Sequence, residues 1–161
     1  AIVCDESLTS AASFFARSKE SRPHDYLALT GGAIGIGIPL AAGAAIACPG
    51  RKVIGMQADG SGMYTVQGLW TQARERLDVV TVVFANRSYR ILEGELRNVG
   101  VANAGPNARR MLELDDPYLD WVSLARGMGV EGTRAETVAD FRRAFEGALK
   151  ASGPFLIEAV I

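Results

Sequence analysis

Short apolar runs alternate with longer amphipathic segments along the whole chain, and this alternation sets the first expectation. The runs Ile2–Cys4, Tyr26–Leu29, Val53–Gln57, Val79–Ala85, Gly129–Gly132 and Phe155–Val160 have the length and residue types of strands. Val79-Val80-Thr81-Val82-Val83-Phe84 is apolar on both faces, as in a strand buried in the middle of a parallel sheet. The segments Thr9–Arg17, Ile36–Ala47, Met63–Arg76, Pro117–Gly127 and Ala135–Lys150 are predicted as helices. On the last of them Phe141, Phe145, Ala148 and Leu149 recur at helical spacing. Pro117, after Asp115-Asp116, marks a helix start. Arg90 to Asp116 is the least periodic stretch and reads as a short helix followed by a loop near a site. Strands alternating with helices predict an α/β fold: a doubly wound, mostly parallel sheet of about six strands, with helices on both faces.

Bulk properties narrow this further. The chain has 161 residues, 48% of them hydrophobic and 7% aromatic, so one domain with an aliphatic core is expected. A formal charge of −1 gives no reason to expect nucleic acid or an anionic membrane as partner. No apolar run approaches the roughly 18 residues of a membrane span. Cys4 and Cys48 follow no secretory signal and read as free thiols of a cytoplasmic protein. The sequence starts at Ala1 and runs straight into a strand, so the domain is expected to be part of a longer polypeptide.

Candidate chemistry collects at the strand ends. In a doubly wound sheet, ligands sit beyond the carboxyl ends of the strands. There the chain places Thr30-Gly31-Gly32-Ala33-Ile34-Gly35-Ile36-Gly37, then Ala58-Asp59-Gly60-Ser61-Gly62, then Ala85-Asn86-Arg87-Ser88-Tyr89. A glycine-rich turn with an acid 22 residues beyond Gly37 suggests a dinucleotide site. Against it, Gly35-Ile36-Gly37 is followed by Ile38, Pro39 and Leu40 rather than by a correctly spaced third glycine. The other reading joins Asp59 to Asn86, 27 residues apart and therefore on adjacent strand tips. One carboxylate and one amide oxygen, with a main-chain carbonyl nearby, is a sparse oxygen set. It suits Mg²⁺, which completes its shell with water and substrate phosphates. Gly60, Ser61 and Gly62 open the next helix, where N–H groups favour a diphosphate.

At this point the chain resembles a known family. The run from Asp59 to Asn86 is similar to the thiamin-diphosphate motif, written G-D-G, a spacer, then N-N. The likeness extends through nearly the whole chain, most strongly over HDYLALTGGAIGIGIPLAAGAAIACPGRKVIGMQADGSGMYTVQGLWTQA. It is nearest the C-terminal cofactor-binding domain of the acetolactate synthase and benzoylformate decarboxylase group. The resemblance implies that Asp59, Asn86 and the Ser88 main-chain oxygen bind Mg²⁺, with Gly60 and Ser61 against the diphosphate. It further implies that the Gly32 main-chain oxygen accepts from the aminopyrimidine and that Ile34 is the wedge bending the cofactor. Tyr89 and Leu92 fall where the family lines its substrate pocket. Ala58, Ala85 and Arg87 depart from the motif; Arg87 is read as reaching the phosphates or facing solvent.

Taken singly, these residues have blander roles. Asp59 alone is a solvated loop acid, Asn86 a turn residue, Ile34 plain core, and the glycines serve tight turns. His24, the sole histidine, precedes a strand and is assigned to the surface. Trp70 and Trp121 lie in amphipathic helices, as core or interface.

The resemblance implies a thiamin-diphosphate-dependent lyase or transferase acting on a 2-oxo acid. It also implies a homo-oligomer in which the activating glutamate comes from a pyrimidine-binding domain of the same or another chain. None of the glutamates here is expected at a matching strand end, so catalytic residues of this chain stay unassigned. Two alternatives stand beside this reading: a non-catalytic cofactor-binding or assembly module, and a nicotinamide-dependent oxidoreductase domain.

Overall fold

The computed structural model describes residues 1–161. In chain order the elements are β1 (Ile2–Glu6), α1 (Phe14–Ser18), β2 (Asp25–Ala28), α2 (Gly37–Ala47), β3 (Val53–Ala58), α3 (Asp59–Gly62), α4 (Gly68–Arg74), β4 (Val79–Ala85), α5 (Arg90–Asn98), α6 (Pro106–Leu112), α7 (Trp121–Gly127), β5 (Glu131–Ala135), α8 (Val138–Lys150) and β6 (Phe155–Val160). The strands form one sheet of six in the order β2-β1-β3-β4-β6-β5. Every pairing is parallel, so the sheet is wholly rather than mostly parallel.

Strand alternation assigns the layers. Ile2, Cys4, Val53 and Val79 meet Ala41, Ala42 and Ala45 of α2. Small alanines let this helix lie close to the sheet. Val83 and Leu156 continue the same layer against Leu69, Trp121 and Ala125 of α4 and α7. On the opposite face Val80, Val82 and Ile157 pack under Ala148 of α8. Helices therefore cover both faces, and all strand tips point their carboxyl ends to one edge. No helix is long and apolar enough to cross a membrane.

Several expected boundaries move, each for a local reason. Helix α7 begins at Trp121, not Pro117, because Asp120 is its cap: Oδ1 accepts from Ser123 N at 2.9 Å. Helix α8 begins at Val138 because Thr137 caps it, and Ala135 belongs to β5, which runs over Glu131–Ala135 instead of Gly129–Gly132. The expected helix Met63–Arg76 divides into a 3-10 turn, Met63–Thr65, and α4. Thr9–Arg17 divides likewise into the 3-10 turn Leu8–Ala11 and α1. The stretch from Arg90 to Asp116 holds two helices, α5 and α6, with Pro106 starting the second. Trp121 is fully buried, whereas Trp70 is 51% exposed beneath the Arg74 guanidinium. His24 stands at the start of β2, the end of the sheet remote from the strand tips.

Candidate functional site at the strand tips

Asp59 is the centre of the arrangement. It follows β3 directly and is 2% exposed. Its Oδ1 accepts from Gly60 N at 2.9 Å and its Oδ2 from Arg87 N at 2.6 Å. Burial pushes this carboxyl above the ordinary carboxylate range, and the Arg87 and Gly60 amides oppose the shift. The Arg87 bond ties the tip of β4 to the tip of β3. Asn86 folds back, its Oδ1 accepting from Ser88 N at 3.0 Å. The loop is pinned from outside as well, since Tyr89 N donates to Leu112 O and Leu114 N to Arg87 O, both at 2.8 Å. The Ser88 hydroxyl donates to the Glu93 carboxylate.

Asp59, Gly60, Ser61, Asn86, Ser88 and Tyr89 line one narrow cleft of about 20 Å³. That volume holds an ion or a water, not a diphosphate. A Cβ on Gly60 would lie 2.4 Å from Tyr89 Cε1, so only glycine admits the ring there. The Ser61 hydroxyl faces inward, within 3.4 Å of the Glu6 and Ala58 carbonyl oxygens, which leaves its main chain to the cleft. Arg87 adopts φ 56° and lays its guanidinium over the Tyr118 ring at 5.2 Å, a place neither of the two expectations gave it. Leu8 and Thr9, unassigned from sequence, also line the cleft. Their signal was available: they follow β1, whose tip lies beside that of β3.

Gly32 and Ile34 lie elsewhere on the same edge, in the loop after β2 and one strand removed from β3. Gly31, Gly32 and Gly35 take positive φ, and Ile34 is 37% exposed. Leu92 is not in the cleft; it lines an apolar groove between α5 and α6 with Leu96, Val99 and Met111.

The structure also places a glutamate at a strand end, contrary to the sequence reading. Glu6 ends β1, is 1% exposed, and accepts from the main-chain N–H groups of Gly35, Ile36 and Gly37. These are the amides that a dinucleotide's diphosphate would need, and they are already taken. The nicotinamide reading loses its binding turn.

The donor set fits a hard cation. Asp59 keeps a free lone pair on each oxygen, and the Asn86 amide oxygen lies at the next strand tip. No group of three or more His, Cys, Asp or Glu side chains gathers anywhere in the chain, which excludes a thiolate or imidazole centre of that size.

Fold and site together define a doubly wound ligand-binding domain whose cleft lies beyond the carboxyl ends of its strands. The chain belongs to the thiamine pyrophosphate enzyme C-terminal TPP binding domain family, whose model matches residues 7–159. The sequence resemblance is thereby borne out. Among curated relatives, the chain is 47% identical over 162 residues to a Mycobacterium tuberculosis protein with the provisional name acetolactate synthase large subunit IlvX. That match covers 100% of this chain and 32% of the relative. It is 37% identical to benzoylformate decarboxylase of Pseudomonas aeruginosa, over 98% of this chain and 29% of that protein. Among solved structures, the thiamine diphosphate-dependent 4-hydroxybenzoylformate decarboxylase of Rhodococcus jostii RHA1 superposes with a TM-score of 0.87 at 35% identity. That superposition covers 98% of this chain and 29% of the other. The chain thus spans about a third of the length of these two curated relatives.

Proposed function

We propose that this chain is the thiamin-diphosphate- and Mg²⁺-binding part of a 2-oxo-acid decarboxylase or carboligase, acting within a longer, homo-oligomeric enzyme. The observation that carries the reading is the buried Asp59 carboxylate, hydrogen-bonded across to the Asn86–Ser88 loop and facing a cleft of ionic size.

Asp59, Asn86 and the Ser88 carbonyl would hold the cation. Bound there, Mg²⁺ would neutralise part of the Asp59 charge whose burial is otherwise unfavourable. Gly60 and Ser61 would lie against the diphosphate, with the Gly60 amide itself given to Asp59 Oδ1. Further along the edge, the Gly32 carbonyl would accept from the aminopyrimidine, and the half-exposed Ile34 would fill the angle between the two rings. Thiamin diphosphate, when bound, supplies an electron sink for the carbanion left as a 2-oxo acid loses carbon dioxide. Tyr89, packed on Gly60, would wall that site, with Leu92 beyond it toward the substrate. The activating carboxylate is assigned to a pyrimidine-binding domain of the same or another chain, because Glu6 is committed to three amides.

The deciding experiment is calorimetric titration of the intact protein with thiamin diphosphate, with and without Mg²⁺, beside a nicotinamide dinucleotide. Saturable, Mg²⁺-dependent binding of thiamin diphosphate alone is expected. Binding that ignores the metal would overturn the cation assignment. Metal-dependent binding without turnover of any 2-oxo acid would leave a non-catalytic module.

A further inference from the structure

The two loops assigned to the ends of the cofactor are joined beneath the surface by side chains that touch neither end. Glu6 and Gln57 are register partners on β1 and β3. Continuing the alternation Ile2, Cys4, Glu6 and Val53, Gly55, Gln57 turns both side chains toward the α2 face, where apolar residues would be expected. Each is 1% exposed.

Glu6 Oε1 accepts from Gly35 N and from Ile36 N at 3.1 Å. Its Oε2 accepts from Gly37 N at 2.7 Å and from Gln57 Nε2 at 2.8 Å. Gln57 Nε2 lies 3.5 Å from Ser61 Oγ, which itself donates to the Glu6 carbonyl at 3.4 Å. A continuous chain of hydrogen bonds thus runs from the turn after β2 to the turn after β3. It has a cost: Gln57 Oε1 is buried without a partner. A buried charge and an orphaned amide oxygen are poorer for stability than two well-packed apolar side chains.

We propose that Glu6 and Gln57 form an internal strut that fixes the spacing between the Gly32–Gly37 turn and the Asp59–Gly62 turn. They act as positioning residues for a ligand gripped at both ends. The inference rests on the thiamin-diphosphate reading above and adds two residues to it. Glu6 consumes three consecutive amides, so the first turn has one conformation relative to β1. Gln57 carries that constraint across to Ser61. A ligand that contacts only the second turn has no stake in the spacing.

The test compares two ligands in the intact protein: thiamin diphosphate with Mg²⁺, which reaches both turns, and inorganic pyrophosphate with Mg²⁺, which reaches only the second. Gln57→Leu removes the cross-link and the orphaned oxygen while keeping the volume. It is expected to weaken thiamin diphosphate at least tenfold, to leave pyrophosphate within twofold, and not to lower the ligand-free melting temperature. Glu6→Gln, which keeps the shape but loses an acceptor for the amides, is expected to show the same selectivity and serves if the first variant does not fold. Thiamin diphosphate within twofold of wild type in both variants, or equal losses for both ligands, overturns the strut while the cofactor assignment stands. A wild-type protein that binds no thiamin diphosphate with Mg²⁺ overturns both.

Discussion

A carboxylate that is 2% exposed at a strand tip is unfavourable unless a cation or donors face it. Asp59 has two main-chain donors and no ion pair, so it keeps acceptor capacity for the proposed Mg²⁺. Asp59→Asn should therefore reduce Mg²⁺-dependent cofactor binding by a hundredfold or more, read by calorimetry. The fold should survive, since an amide oxygen still serves one of the two N–H groups; leaving the other unpaired costs about 1–3 kcal/mol. Wild-type Mg²⁺ dependence in this variant would remove Asp59 from the site. Ile34 gives the opposite balance. A buried Ile truncated to Ala loses about 2–5 kcal/mol, but Ile34 is 37% exposed. Ile34→Ala should cost well under that range in urea unfolding while weakening thiamin diphosphate more than pyrophosphate; a full core-sized loss would make it ordinary packing. Asp59 and Asn86 were legible in the sequence because two strand tips a helix and a strand apart must be neighbours. Glu6 and Gln57 were not, although the same period-2 count reaches them. An acid after Asp5 looks solvated until the amides that lead into α2 are seen to donate to it.

Helices and strands were legible where periodicity was strong and shifted where a cap decided the boundary. Asp120 and Thr137 set the starts of α7 and α8, and no apolar spacing reports a cap. The Arg90–Asp116 stretch showed one of its two helices and hid the other, α6, because their apolar sides, Leu92, Leu96, Val99 and Met111, meet each other and solvent instead of the sheet. The short α3 is the element on which the site leans most. A Cβ on Gly62 would lie 2.7 Å from Trp121 Cη2, and that indole is fully buried and cannot retreat. Gly62→Ala should destabilise by about 1–3 kcal/mol, seen as a lower urea midpoint with altered tryptophan emission; an unchanged midpoint would mean that α7 yields. Strand β6 holds a second buried acid. Glu158 is 1% exposed with neither carboxylate oxygen hydrogen-bonded. Burial raises its pKa, against the opposing pull of Arg134 and Arg87. A group whose folded pKa is raised contributes stability below its unfolded pKa and loses that contribution as pH rises through the folded value. Wild type should therefore lose ground to Glu158→Gln as pH climbs above the usual carboxylate range. Parallel melting profiles for the two proteins would show that this carboxyl does not titrate on folding.

At the scale of the whole molecule, the sheet is well covered but its binding edge is not. The turn after β2 stands open with Ile34 half exposed. The groove between α5 and α6 presents Leu92, Val99 and Met111, the last 78% exposed. Apolar surface of this kind, next to a site, is what the proposed pyrimidine-binding domain would cover. The cleft at Asp59 has room for an ion, about 20 Å³, and encloses no more than that, so a ligand reaching from it to the turn after β2 would lie along an uncovered edge. The proposed catalysis would need a second carboxylate against the far ring and a cover that excludes water. Glu6 cannot serve as that carboxylate, because its oxygens already accept from Gly35, Ile36, Gly37 and Gln57. A chain of these 161 residues alone is therefore expected to fold, to bind Mg²⁺ with pyrophosphate weakly, and to turn over no 2-oxo acid. Its open apolar face should make it self-associate, raising its sedimentation coefficient with concentration. Adding a chain that carries the pyrimidine-binding domain should suppress that association and restore turnover together, because both follow from covering one face. Steady decarboxylation of pyruvate or benzoylformate by the isolated segment would show that the site is complete without that face being covered.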